Sequence, residues 1–339
     1  MREFSVGLPI GENDAFINDV IRHKEHIGEV YFSWGDFPSG RSAQAGYVTP
    51  WEAQAKQIKV LDRLRDAGLS FNLLFNANCY GEDAQARSLY EKIGETVDYI
   101  GAHYSLSSVT TTSPLIAKFI KNNFEGVKTR ASVNMEIGTE EGFSYLSEWF
   151  DGYYMKREYN RDLRVIKKLR AWCDENGKEL FMLANSGCLN NCSAHVFHDN
   201  LVAHEKAIST KDNAYAFDGV CRDFLKREGS AEEYLRVTNF IRPEDIDLVI
   251  EYFDGIKLAT RVNPNPSRVL EAYVNRRFFG AVTSLLEPDH SGLFYPKVIE
   301  NKKIEPTWAK TVLSCNKDCR ACGFCVRTTE NAIIKLEEI

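Results

Sequence analysis

The chain has 339 residues, 44% hydrophobic and 27% charged, with a formal net charge of −6. That length and composition can bury a large core, as one barrel-sized domain with an appendage or as two domains, and they exclude a disordered chain. Lys and Arg are scattered rather than clustered, which argues against a large nucleic-acid footprint while leaving room for a local basic groove, and no apolar run approaches a membrane span.

Strand-like runs alternate with helix-periodic segments from the first residues onward. Strands are predicted at 4–9, 29–34, 71–76, 99–104, 129–135, 152–158, 179–185 and 255–261. Helical periodicity marks 50–67, 84–93, 115–123, 161–175 and 266–279. Eight strands with interleaved helices have the order and size of an α/β protein, a TIM-like (β/α)8 barrel, with a doubly wound open sheet as the alternative. The barrel is expected over 1–285 and a cysteine-rich extension over 286–339. The connection 186–254 is far longer than an ordinary βα loop, as loops that carry function commonly are. Within it, Arg242-Pro243-Glu244-Asp245 reads as a helix start, and Ile246, Val249, Ile250 and Phe253 as its buried stripe.

The extension holds Cys315, Cys319, Cys322 and Cys325 in the spacing C-x3-C-x2-C-x2-C. Crowded thiolates repel one another and oxidise readily unless liganded, so the pattern reads as a soft-metal ligand set. A disulfide knot would suit a small secreted domain, but the N-terminal Met-Arg-Glu-Phe-Ser-Val-Gly has no apolar h-region, so a cytoplasmic protein is expected. Zinc sites usually separate two C-x2-C knuckles by a dozen or more residues, and the short spacings here favour iron-sulfur over zinc. The first three cysteines also have the C-x3-C-x2-C spacing of radical S-adenosylmethionine enzymes, although Ala321 stands where an aromatic is usual.

In a barrel the reactive groups sit where strands end. Strand 7 exits into Cys188, Cys192, His195 and His198, with Cys221 later in the same connection, and strand 3 exits into Cys79. These four cysteines can supply a second centre, with small buried residues as the alternative for Cys79 and Cys221. Cys173, mid-helix beside Trp172, reads as core filling. His195, His198 and His204 are candidate ligands or acid-base groups. Asp36, His103, Glu136, Arg157 and Glu158 are further polar groups at strand exits, and Lys257 and Arg261, on one side of strand 8, suit a carboxylate or phosphate.

Together these residues resemble the U32 family, long labelled collagenase-like peptidases. Tyr153-Tyr-Met-Lys-Arg157-Glu158 is similar to the family's strand ending in Arg-Glu, and Leu183-Ala-Asn-Ser-Gly187-Cys188 with Cys192 to its cysteine-bearing strand exit. The segment from Val237 through Arg242-Pro243 to Ile250 resembles its pre-strand helix, and Gly255-Ile-Lys257-Leu-Ala-Thr-Arg261 its Lys-Ile-Glu-Gly-Arg strand. The chain departs from the pattern at Ala259 and Thr260, at the direct Gly-Cys exit and in the four-cysteine extension. The resemblance implies a barrel that holds a [4Fe-4S] cluster through four cysteines, in a family whose members hydroxylate RNA bases or quinone precursors without dioxygen. Cys188 and Cys192 match ligand positions, Cys221 follows them, and Cys79 rests on strand placement alone.

The expected function is therefore iron-sulfur-dependent, oxygen-independent redox chemistry, in particular hydroxylation of a small-molecule or nucleobase-like substrate, with one or two clusters per chain. An electron-donor protein or partner subunit is an expected companion. The alternatives are a hydrolase, for which neither His-Glu-x-x-His nor Gly-x-Ser-x-Gly is present, and a non-catalytic electron-transfer or assembly partner.

Overall fold

A computed structural model describes residues 2–9, 13–35, 37–40, 50–212 and 215–336. Eight strands close a parallel barrel in chain order: β1 (Phe4–Gly7), β2 (Ile27–Phe32), β3 (Phe71–Phe75), β4 (Leu106–Thr111), β5 (Lys128–Ala131), β6 (Gly152–Tyr154), β7 (Glu179–Leu183) and β8 (Gly255–Leu258). β8 pairs back onto β1, with Phe4 opposite Ile256, so the barrel has no free edge. The open-sheet alternative is thereby excluded. Among the described residues no helix is long and apolar enough to cross a membrane.

Local chemistry sets the element ends. The helix Pro114–Asn123 begins with Pro inside its first turn and the Ser113 hydroxyl accepting from the Ile116 amide. The helix Leu163–Asn176 begins where Asp162 accepts from the Arg164 and Val165 amides, and it ends at Gly177, whose φ of 62° is a left-handed cap. The span 99–104 corrects the sequence expectation: it closes the helix Arg87–His103, and the strand lies just beyond it. Ile93, Val97 and Ile100 recur at helical spacing and are buried, whereas the β-branched residues of Leu106–Thr111 suit the pleat. His103 consequently stands exposed at the end of the barrel where β4 begins, with its ring 4.5 Å from that of Tyr99. It is not a strand-exit group.

The barrel interior carries a charge. Glu29 of β2 accepts from Ser5 Oγ of β1 at 2.9 Å, Asn72 Nδ2 of β3 at 2.9 Å, Ser108 Oγ of β4 at 3.4 Å and Arg130 Nη1 of β5 at 2.6 Å. The Arg130 guanidinium also lies 4.1 Å from the Phe181 ring of β7. Above this pair a second apolar layer of Val133, Tyr154, Phe181, Leu183 and Ala259 forms the floor of the mouth. Pleat alternation sends Tyr154 inward and Tyr153 outward, where it stacks on Phe143 at 4.1 Å.

After Gly280 the chain builds on the barrel. β9 (Lys297–Ile299) and β10 (Ile333–Lys335) form an antiparallel ribbon, and the helices Trp308–Ser314 and Phe324–Ala332 bring Trp308, Val312, Leu313 and Ala332 into the main hydrophobic core. Glu287 continues the pairing beyond β7: its amide donates to Asn185 O, and its carbonyl accepts from Gly187 N, each at 3.0 Å.

Burial alone would raise the Glu29 carboxyl, but the Arg130 charge and the hydrogen bonds from Asn72 and Ser5 outweigh it and hold it below the ordinary range. Its contribution to stability is therefore present at neutral pH and lost as pH falls through that lowered value. Replacement Arg130→Met strands a buried carboxylate and should cost about 3–5 kcal/mol. Glu29→Gln added to it should restore a large part. Urea midpoints at neutral pH check both; an unchanged midpoint in Arg130→Met would mean that the pair does not brace the barrel.

Candidate functional site

The exits of β5, β6 and β7 place their polar side chains together at one side of the mouth. Beyond β5, the Ser132 hydroxyl accepts from Asn134 N, and the short turn ends at Glu136, whose φ of 53° is left-handed and unusual for a residue with a side chain. Beyond β6, Arg157 is 3% exposed; its Nη1 donates to Cys188 Sγ at 3.5 Å and its Nη2 to Asn134 Oδ1 at 3.2 Å. Glu158 Oε2 and Arg157 Nε are buried and close no hydrogen bond among the described residues.

Beyond β7 the chain is pinned before it reaches the cysteines. Asn185 Nδ2 donates to Ala259 O at 2.9 Å and to Leu285 O at 2.8 Å, and His290 Nε2 donates to Gly187 O at 3.2 Å. A Cβ on Gly187 would lie 2.2 Å from Pro288 O, so only glycine allows the extension to approach this closely. Cys188, Cys192 and Cys221 follow, none of them in a disulfide. Burial pushes the Cys192 and Cys221 thiols above their ordinary range, and the nearby Cys188 sulfur raises both further. The glutamates Glu136 and Glu158 act on Cys192 in the same direction.

His195, buried at the start of the helix His195–Ala203, pairs through Nδ1 with Glu136 and through Nε2 with Asp199 at 3.2 Å. Burial lowers its pKa, but the bonds to Asp199 and Glu136 prevail and raise it to about 9. Burial likewise works to raise Glu136, and His195, Lys156 and Arg157 hold it below the usual carboxylate range. One ligand atom each from Glu136, Glu158 and His195 lies within 4.8 Å of the others.

The remaining candidates are distributed. Cys79 is half-buried at the β3 exit, where its sulfur accepts from Gly81 N at 3.3 Å, and a Cβ on Gly81 would lie 3.7 Å from the His204 ring, so the connection after β7 reaches this exit. His198 faces the Phe217 ring at 5.6 Å, and His204 lines a cavity of about 390 Å³ with Pro38, Ser39, Val202 and Lys206. Lys257 lies over the Tyr31 ring at 3.9 Å inside the barrel. Arg261 lies past the end of β8 rather than within it, and its Nη2 donates to Ser33 Oγ at 3.0 Å and Ser39 Oγ at 3.1 Å. These two cations thus flank the β1–β2 side of the mouth. Cys173 is fully buried, and burial pushes its thiol to about 12, as core packing requires. Asp36 lies outside the described residues.

The C-terminal cysteines lie across the helix Tyr234–Val237 from this site. Cys319 and Cys322 bound one short exposed helix, so their side chains share a face. Burial raises the Cys325 thiol, and Cys319 and Cys315 raise it further. The Trp308 indole N–H acts on the Cys325 sulfur from the buried side, yet it closes no hydrogen bond at ordinary distance. Lys317 Nζ anchors the loop by donating to Arg161 O and Val312 O. Asp199, Asn134, Arg161, Tyr234 and Trp308 were not among the sequence candidates. Asp199 alone had a local signal, four residues after His195 on one helix face.

No protein-family model matches the chain, and no curated protein matches it. Among solved structures, the U32 peptidase Mk0906 superposes with a TM-score of 0.54 at 14% identity, covering 76% of this chain and 92% of that one. An α-amylase from Lactobacillus plantarum matches at a TM-score of 0.41 and 9% identity, over 76% of this chain and 70% of that one. The chain is a closed (β/α)8 barrel with the fold of the U32 peptidase Mk0906.

Proposed function

We propose that this chain is a U32-type iron-sulfur enzyme whose barrel cluster is held by Cys188, Cys192 and Cys221, and whose second cluster is held by Cys315, Cys319, Cys322 and Cys325. The observation that carries the reading is the approach of Cys188, Cys192 and Cys221 to one another from two distant parts of one connection, with the buried Arg157 donating to Cys188 Sγ at 3.5 Å. A metal ion would reverse the upward shift of the Cys192 and Cys221 thiols, because a coordinated cysteine is bound as the thiolate. The N–H groups of Arg157 and Trp308, directed at sulfur and incompletely satisfied, fit bound thiolates, which accept hydrogen bonds better than thiols do.

When bound, a cluster of this kind supplies single electrons without dioxygen. The protein's share is binding, orientation and proton supply. His195 Nδ1 and Nε2 hold a proton between Glu136 and Asp199 beside the cysteines, Arg157 and Lys156 balance the carboxylates, and Arg261 offers a cation at the edge of the cavity that Ser39 lines. This suits oxygen-independent redox chemistry, including hydroxylation, on a small polar substrate. The convergence of Glu136, Glu158 and His195 favours a second reading, metal-assisted hydrolysis at that trio, in keeping with the peptidase name of the structural neighbour.

Anaerobically purified protein should be brown, with iron and acid-labile sulfide in equal amounts, and two clusters correspond to about eight irons per chain. Colourless protein with stoichiometric zinc, retained in Cys188→Ala but lost in Glu136→Gln, would establish the hydrolase instead. The pair Cys188→Ala and Cys192→Ala should remove one cluster and leave the other spectroscopically intact, with turnover abolished; retained turnover would rule out a catalytic barrel cluster.

His195 should remain an imidazolium at neutral pH in the apoprotein and titrate near pH 9, as followed by ring-nitrogen NMR; an ordinary midpoint near 6.5 would refute the paired geometry. Because its folded value is raised, its contribution to stability is complete below about pH 6.5 and disappears as pH rises through about 9.

A further inference from the structure

Arg161 is a buried cation for which the described residues provide no adjoining carboxylate. Its guanidinium lies against the neighbouring rings of Trp308 at 4.5 Å and Phe240 at 4.6 Å, and it donates to the carbonyls of Phe240, Leu235 and Thr238 at 2.7–2.9 Å. Nη2 is buried and closes no hydrogen bond among the described residues. Asp245, the nearest acid to act on it, is already bound by Arg242 at 2.5 Å. Three carbonyl dipoles and two ring faces solvate the charge but do not neutralise it.

Bound as thiolates in a cluster, the C-terminal cysteines would supply the missing negative charge. The loop between Cys315 and Cys319 is tied to the Arg161 backbone carbonyl through Lys317, and Trp308, which covers one face of the guanidinium, acts on Cys325 through its indole N–H. Cys315 Sγ donates at 3.4 Å to Val312 O, the carbonyl that Lys317 Nζ joins to Arg161 O, so the first of the C-terminal cysteines is tied directly to the Arg161 segment. On the other side stands Tyr234, fully buried with an unpartnered hydroxyl and influenced by Cys188, Cys221 and Arg161 alike. One wall thus separates the two sulfur groups, and a bare cation is set in it.

We propose that Arg161 is the buried counter-charge of the C-terminal cysteine group and sets the reduction potential of the cluster held there. The inference rests on the iron-sulfur reading above. A cluster bound by four thiolates is negative and gains one further negative charge on reduction, so a fixed neighbouring cation favours the reduced form. Burial keeps that effect from being screened by water and salt. Arg161 acts through charge and position and is not a ligand.

The test is an anaerobic, EPR-monitored redox titration of the full chain carrying Cys188→Ala and Cys192→Ala, so that only the C-terminal cluster reports. Arg161→Met should lower the equilibrium constant for one-electron reduction at least tenfold, a fall of about 59 mV, with iron content unchanged. Arg161→Lys should recover most of it. An unchanged midpoint in the loaded Arg161→Met variant overturns the proposal while leaving the iron-sulfur reading intact. Should Arg161→Met fail to fold, Arg161→Gln keeps an amide donor for the surrounding carbonyls and removes the charge; it should also lower the midpoint, and an unchanged value counts against the proposal. A wild-type protein without iron overturns the reading beneath it.

Discussion

Everything at the mouth of this barrel stands on the pairing of Glu29 with Arg130. A closed barrel of short strands has an interior too narrow for water to solvate a charge, so a carboxylate there needs its partners from the walls. Glu29 draws them from β1, β3, β4 and β5, and Arg130 rests on the ring of Phe181 from β7. Such a pair adds little net stability over an apolar core, but it tolerates few alternatives: a slip in register would leave a buried charge without its match. The apolar layer of Val133, Tyr154, Phe181, Leu183 and Ala259 then closes the floor, and the exits of β5 to β7 rise from it in fixed relation.

On that floor the site is assembled from parts remote in sequence. The β7 exit is held by Ala259, Leu285, Glu287 and His290, so the residues after the barrel help to position the first cysteine of the connection. Gly187 is the point of closest approach. The long connection supplies Cys221 and, through the helix Tyr234–Val237, the wall against which the C-terminal cysteines dock. Trp308 and Arg161 join that wall to the barrel, so the extension packs as part of the fold rather than as a tail.

Where the sequence reading and the structure part company, the cause is physical. The segment 99–104 is apolar enough for a strand, but its buried positions continue the helical spacing of Ile93, Val97 and Ile100, and that continuity prevails over local β propensity. Arg261 seemed to belong to strand 8 by alternation, yet β8 ends at Leu258 and hydrogen bonds to Ser33 and Ser39 orient the guanidinium. Asp199 and His195 are neighbours on one helix, but the ion triad they form also needs Glu136 from another loop, which no local pattern announces.

The sequence by itself determined the alternation of strand and helix, the eightfold count, the unusual length of the seventh connection and the clustering of cysteines in two stretches. All of these are properties of neighbouring residues, read from periodicity and spacing. Only the tertiary structure decided that Cys221 stands near Cys188 and Cys192, and that Arg161 and Tyr234 lie between the two cysteine groups. Those meetings depend on how a connection of nearly seventy residues crosses the mouth and on where the extension finds apolar surface to cover. Long-range packing sets both, and it leaves no periodic trace in the chain.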